Sequence, residues 1–81
     1  MMILDLHEHT IQEAYEETLD FVKECHEERI KKARVITGKG VIGREFPMWL
    51  ERNPIVRKVE QTNDGGCYHI WIAIKQKNDF C

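Results

Sequence analysis

The N-terminal half of the chain alternates between two apolar periodicities, and this alternation limits the folds it can adopt. Residues 2–6 (MILDL) and 33–37 (ARVIT) form short apolar runs that are typical of strands. Between them, apolar side chains recur every three or four residues, which predicts a helix that ends near Arg29. A strand-helix-strand unit of this length makes its two strands parallel, with a right-handed crossover.

The first predicted helix has a clear start. Thr10 and Glu13 fit a capping box, in which their side chains bond the free backbone N–H groups of the first turn. Phe21 falls outside the predicted apolar stripe. That stripe consists of Ile11, Ala14, Tyr15, Leu19, Val22, Cys25 and His26.

The second half predicts one short helix and a hairpin. The helix follows a glycine loop and carries apolar side chains at Ile42, Phe46, Trp49 and Leu50. Since proline is tolerated only in a first turn, the helix either starts near Arg44 or bends at Pro47. Residues 55–61 and 67–75 predict strands joined across TNDGG, which completes a β-α-β-α-β-β order.

Size and composition indicate one globular domain. The 81 residues, 42% hydrophobic and 32% charged, predict a single domain over 1–81, with a core at about 3–75 and a loose tail at 76–81. No apolar run approaches membrane length, and the N-terminus lacks the basic region of a secretory signal, so a cytoplasmic location is expected. The three cysteines form no C-x-x-C pair, which predicts reduced thiols and a reactive Cys81.

Charge is distributed unevenly along the chain. Residues 11–28 hold seven acidic residues and one lysine, whereas residues 29–44 hold six basic residues and no acidic one. We interpret the acidic segment as a solvated helix face. The basic segment runs into the glycine loop, which favours an anionic ligand although the net charge is -2.

The glycine loop TGKGVIG (37–43) has the G-x-G-x-x-G spacing of a dinucleotide site, but its context differs. The loop lies mid-chain, and the nearest acidic residue at a suitable distance, Glu60, falls inside a predicted strand. A Walker loop would need Ser or Thr after Lys39, where Gly40 stands. We therefore expect no dinucleotide. The glycines serve either a tight turn or a phosphate site formed by the loop amides and Lys39.

The carboxyl ends of the two parallel strands meet at one edge of the sheet, where open α/β sheets bind ligands. If Leu4 and Leu6 face the helices, Asp5 and His7 point the other way as neighbours. The carboxylate could orient the imidazole or ligate a metal, and the imidazole could move a proton near neutral pH. Alternatively, both side chains only cap the adjacent loop and helix.

The remaining histidines and tryptophans predict structural roles. His7 and His9 lack a third clear ligand, so no metal site is predicted, and His9 is expected to be solvated. His26 is placed at the edge of the helix stripe and His69 on a sheet face. Trp49 and Trp71 are expected in the core, but an exposed Trp71 would favour base stacking.

Five segments together resemble the small MutS-related (Smr) domain family over Leu4 to Lys75. They are LDLH (4–7), the helix start at Thr10, VITGKG (35–40), REFPMWL (44–50) and the glycine pair at 65–66. The resemblance implies a two-layer α/β sandwich with a mixed four-stranded sheet and two helices. This fold is similar to the C-terminal domain of a bacterial translation initiation factor.

The resemblance also implies an endonuclease that cleaves RNA or nicks DNA. It implies that Asp5 and His7 act in cleavage. It further implies that nucleic acid is bound by Thr37, Gly38, Lys39, Gly40 and Arg44. No cofactor is required, and a divalent metal is compatible with the pattern.

Two departures from the family pattern keep an alternative open. Glu8 replaces the usual glycine of LDLHG and adds negative charge beside the phosphate site, and the stretch between Gly40 and Arg44 is short. The alternative is a non-catalytic nucleic-acid- or ribosome-binding module. A third hypothesis is a protein-interaction module that uses the acidic helix face.

Overall fold

The computed structural model describes residues 2–63 and 65–74. Its elements in chain order are β1 (Met2–Asp5), α1 (Ile11–Glu27), β2 (Lys32–Ile36), α2 (Val41–Leu50), β3 (Val56–Gln61) and β4 (Cys67–Ile72). Within these ranges no helix has the length and apolar character needed to cross a membrane. Lys75, the predicted tail at 76–81 and Cys81 lie outside the described residues.

The four strands form one mixed sheet in the order β1-β2-β4-β3. β1 and β2 are parallel, with Asp5 opposite Ile36, as the strand-helix-strand pattern predicts. β4 runs antiparallel to both of its neighbours, β2 and β3. The carboxyl ends of β1 and β2 therefore lie at the same edge of the sheet.

Both helices pack on one face of this sheet, so the fold is the expected two-layer α/β sandwich. Alternate strand residues such as Val35 and Ile70 are fully buried against the helices, while their sequence neighbours point to the opposite face. The core consists of Leu6, Ala14, Phe21, Val22, Cys25, Ala33, Val35, Ile42, Phe46, Leu50, Tyr68, Ile70 and Ile72.

α1 begins as predicted, and its buried face includes Ala14, Val22 and Cys25 of the predicted stripe but is shifted relative to it. The Thr10 hydroxyl accepts from the Glu13 N–H at 3.2 Å, and the Glu13 carboxylate accepts from the Thr10 N–H at 3.0 Å. The expectation for Phe21 was wrong, because this residue is buried while Ile11 is 44% exposed. Thr18 also lies in the core, where its hydroxyl donates to the Ala14 carbonyl at 2.7 Å. That internal bond lets a polar residue occupy the buried face.

α2 starts at Val41, which excludes the first of the two alternatives, a start near Arg44. Pro47 lies inside the helix. A proline has no N–H for the carbonyl four residues earlier, which here belongs to Gly43. The Tyr68 hydroxyl donates to that carbonyl at 2.6 Å. A side chain from β4 thus satisfies the acceptor that Pro47 leaves free, and it fastens α2 to the sheet.

Candidate functional site

The site lies at the carboxyl ends of β1 and β2, beside the first turns of both helices. Leu6 continues the pairing beyond β1, since its N–H donates to the Ile36 carbonyl at 2.7 Å, and its side chain is fully buried. Asp5 and His7, on either side of it, therefore point away from the core. Each side chain is 51% exposed, which leaves both open to a ligand.

One carboxylate oxygen of Asp5 accepts two hydrogen bonds from His7, one from its ring and one from its backbone. The His7 ring donates from Nδ1 to Asp5 Oδ1, and the His7 backbone N–H donates to the same oxygen at 3.1 Å. The carboxylate thus bonds the local backbone and orients the ring at once. The second ring nitrogen, Nε2, lies 4.0 Å from the Glu8 carboxylate.

The pKa values of both side chains in this pair are shifted. The hydrogen bond from the ring to Asp5, aided by the negative charges of Asp5 and Glu8, raises the pKa of His7 above its ordinary value. The side-chain and backbone hydrogen bonds from His7 lower the pKa of Asp5. The arrangement therefore favours a carboxylate beside an imidazolium, which can release a proton from Nε2.

The loop at 37–40 is tied to the turn that precedes β4. The N–H groups of Thr37 and Gly38 both donate to the Gly66 carbonyl at 3.0 Å. The Thr37 side chain is buried, and its hydroxyl donates to the Gly38 carbonyl at 2.9 Å. The buried Thr37 side chain thus fixes the conformation of the loop. The role of Gly66 was missed by residue-level reasoning, although the glycine pair at 65–66 was part of the family resemblance.

Two glycines give the loop its shape and its packing on α2. Gly38 has φ +74°, a backbone conformation that favours glycine, and a Cβ placed there would make only an ordinary contact with the Cβ of His7 at 3.5 Å. A Cβ on Gly43 would lie only 2.5 Å from the Gly38 carbonyl oxygen. The first turn of α2 therefore packs on the loop at a distance that glycine alone permits.

A cleft of about 510 Å³ opens between the helix N-termini. His7, His9 and Thr10 line one wall, and residues 37–42 line the other, where Lys39 is exposed. Within the described residues, no side chain caps the N-terminus of α2 at Gly40. Its first N–H groups and Lys39 thus form an environment suited to an anion. Arg44 is exposed on α2 and lies outside the cleft lining.

The other histidines have different surroundings from the Asp5–His7 pair. His9 is half-buried rather than solvated, and its Nδ1 has no hydrogen-bond partner among the described residues. His26 bonds through Nδ1 to the Ala73 carbonyl at 2.6 Å, a structural role. Across residues 2–63 and 65–74, no cluster of three His, Cys, Asp or Glu side chains could hold a metal.

The family model described as Smr domain matches residues 4–74. The chain belongs to the Smr domain family. The match includes the Asp5–His7 pair and the loop at 37–40, and it agrees with the resemblance carried by LDLH and VITGKG.

Curated relatives of this Smr domain include two proteins named ribosome rescue factor SmrB. The protein from Pasteurella multocida is 36% identical over 62 residues, covering 74% of this chain and 37% of the relative. The protein from Tolumonas auensis is 33% identical over 79 residues, covering 93% of this chain and 45% of the relative. The Smr domain thus spans less than half the length of either relative.

A solved structure shares the fold of this Smr domain. The crystal structure of the Smr domain of Thermus thermophilus MutS2 superposes with a TM-score of 0.83 at 19% sequence identity, covering 89% of this chain and 98% of that one. The likeness confirms the two-layer architecture with its four-stranded sheet. At this identity it establishes the fold alone.

Proposed function

We propose that this Smr domain is an endonuclease that cleaves phosphodiester bonds in RNA or DNA. One observation carries the proposal: His7, oriented by Asp5, lies in the same cleft as Lys39 and the uncapped N-terminus of α2. A proton-transfer group thus stands beside an environment that attracts a phosphate. The single Smr domain extends over residues 1–81 in this proposal, with its core at about 3–75.

His7 is the proton-transfer group of the proposed reaction. Its Nδ1 is occupied by Asp5, so Nε2 is the nitrogen that donates a proton to the leaving oxygen. The phosphodiester bond breaks as water, or in RNA the adjacent 2′-hydroxyl, bonds to the phosphorus and loses its own proton to solvent. The raised pKa of His7 keeps the ring protonated at a higher pH than that of an isolated imidazole. Asp5 acts through His7 by holding the ring and stabilising its positive charge.

The loop and α2 stabilise the phosphate. Lys39 and the free N–H groups of the first turn of α2 supply positive charge where negative charge develops. Thr37 and Gly38 set the loop conformation through Gly66 and act as positioning residues. Arg44, exposed one turn into α2, contacts the nucleic acid outside the cleft in this proposal.

A cleavage assay with matched variants tests the assignment. Wild-type protein, His7→Ala and Asp5→Asn are incubated with labelled RNA and DNA, with and without divalent metal. Removal of the general acid should lower the rate about a hundredfold or more. Asp20→Asn and Lys23→Ala change exposed residues of α1 and should retain full activity, in contrast to Asp5→Asn and Lys39→Ala. If His7→Ala cleaves as fast as wild type, the assignment is wrong.

A second function is favoured by Glu8 and by the relatives. Glu8 places negative charge 4.0 Å from His7 Nε2, where a phosphate would approach. The two curated relatives are named ribosome rescue factors. A non-catalytic module that binds nucleic acid or the ribosome would show salt-sensitive binding that weakens in Lys39→Ala, without cleavage under any metal condition.

A further inference from the structure

The sheet face opposite the helices carries side chains that the proposed cleavage chemistry does not use. Strand alternation places Lys32, Trp71 and Lys58 on this face in one row across β2, β4 and β3, because Trp71 is the register partner of both lysines. We call this surface the open sheet face. Its members are Ile3, Asp5, Lys32, Arg34, Ile36, Lys58, Glu60, His69 and Trp71.

Trp71 stands at the centre of this row with a lysine on either side. The ammonium groups of Lys32 and Lys58 lie 4.9 Å and 4.8 Å from the indole centroid. The His69 ring lies edge-on to the indole, with 6.3 Å between the two ring centroids. Among the described side chains, Trp49 packs against the core and Trp71 does not, so the expectation of a core Trp71 was wrong.

The surroundings of Trp71 are basic although the chain is net acidic. Lys31 and Arg57 line a groove of about 370 Å³ together with Trp71. The acidic Glu60 is engaged by Lys58 at 3.4 Å. Four basic residues thus surround one half-buried indole, namely Lys31, Lys32, Arg57 and Lys58. This combination of an aromatic surface with cations complements a base and its flanking phosphates.

The open sheet face also leads to the cleavage site. Asp5 lies on it, on the edge strand β1, opposite Ile36. The Trp71 row lies four residues along β2 from the position opposite Asp5, and β4 lies two strands from β1. At ordinary strand rise and spacing, Trp71 and Asp5 are therefore about 16 Å apart. A strand of a few nucleotides covers this distance, and Arg34 lies along the path.

The geometry points to Trp71 as a base-stacking platform for single-stranded nucleic acid. An unpaired base stacks on the indole, and Lys32 and Lys58 move from the ring to the adjacent phosphates. The strand then crosses Arg34 towards the Asp5–His7 pair. The inference rests on the proposed function and deepens it by naming the substrate class, because a base within a duplex has no free face for the indole.

Fluorescence of Trp71 tests the contact directly. The protein has two tryptophans, so Trp49→Phe leaves Trp71 as the sole indole. A single-stranded oligoribonucleotide should quench its emission in low salt, and the matching duplex should not. In the reciprocal variant, Trp71→Phe, the emission of Trp49 should stay unchanged on binding. Equal quenching by both nucleic acids, or none by the single strand, would overturn the platform.

Binding measurements give the second readout. Trp71→Leu should weaken single-strand binding by about fivefold to 150-fold, the range for loss of one stacked base. Trp71→Phe keeps an aromatic ring and should retain most of the affinity. The double variant Lys32→Ala/Lys58→Ala should bind less tightly and show a smaller salt dependence. Circular dichroism checks that each variant is folded. Affinity unchanged in Trp71→Leu would contradict the inference.

The two proposals fail separately in these experiments. If His7→Ala abolishes cleavage while Trp71→Leu leaves affinity and KM unchanged, the nuclease stands and the platform is wrong. If no protein cleaves but Trp71→Leu loses single-strand affinity, the platform stands and the nuclease is wrong. If wild-type protein binds no nucleic acid in low salt, both are wrong.

Discussion

Removal of the Tyr68 hydroxyl should destabilise the domain because of the proline inside α2. The Gly43 carbonyl lacks the N–H that residue 47 would ordinarily supply, and the Tyr68 hydroxyl donates to it at 2.6 Å. Both residues are buried, so water does not readily replace the hydroxyl. Burial also raises the pKa of Tyr68 above its ordinary value of 10.0, so ionisation removes this donor only in alkaline solution. Tyr68→Phe leaves a buried acceptor unsatisfied, which costs about 1–3 kcal/mol.

A double-mutant cycle in urea unfolding measures how far the loss from Tyr68→Phe depends on Pro47. In a separate thermal unfolding experiment, Tm should fall by about 4–8 °C for each kcal/mol lost in a domain of this size. Pro47→Ala restores an N–H that can bond the Gly43 carbonyl, so Tyr68→Phe should cost about 1 kcal/mol less in that background. An equal loss in both backgrounds would refute the reasoning, as would a loss below about 0.5 kcal/mol in the wild-type background.

Asp5→Asn should lower the pKa of His7 in an NMR titration, because it removes the negative charge that favours the imidazolium and leaves an amide oxygen as a weaker acceptor. Since the folded-state pKa of His7 is raised, its contribution to stability is complete below its ordinary pKa of 6.5 and is lost as the pH rises through the folded-state value. An unchanged His7 pKa would contradict this pairing. Gly43→Ala should cost about 1–3 kcal/mol in urea unfolding, because the added Cβ would lie 2.5 Å from the Gly38 carbonyl oxygen. Gly40→Ala, whose Cβ would meet no atom within 4 Å, is the matched control, and equal losses would exclude a steric cause. Burial raises the pKa of the Cys25 thiol to about 11, so peptide mapping should find it unlabelled by iodoacetamide in the folded protein and labelled in urea. Rapid labelling of the folded protein would show that the thiol is accessible.

The local chemistry of the sequence predicts much of the fold. Thr10 and Glu13 form the capping box that their spacing indicates, since both partners lie within one turn. The parallel pairing of β1 and β2 follows from the length of the segment between them. Asp5 and His7 point away from the core because strand alternation with a buried Leu6 leaves no other direction. These features need no information from distant parts of the chain.

Two features of the helices were not predictable from apolar periodicity in the same way. Thr18 is buried because its hydroxyl bonds within α1, and with it Phe21 turns into the core. An apolar periodicity ignores such a threonine and misplaces the stripe. Pro47 is tolerated inside α2 because Tyr68, on a strand that follows later in the chain, bonds the free carbonyl. The second outcome cannot be read from the helix sequence alone, because the bonding partner lies on another element.

The cleft and the open sheet face share one short segment of backbone. The Gly66 carbonyl accepts from Thr37 and Gly38, which fixes the loop beside His7. The next residue begins β4, the strand that carries His69 and Trp71 across the open sheet face. The loop and the indole are thus positioned by the same strand, whose Tyr68 also fastens α2. In the proposed function, a nucleic acid strand held at Trp71 would meet the loop at 37–40 in a fixed relative position, which is what cleavage at a defined distance from a stacked base requires.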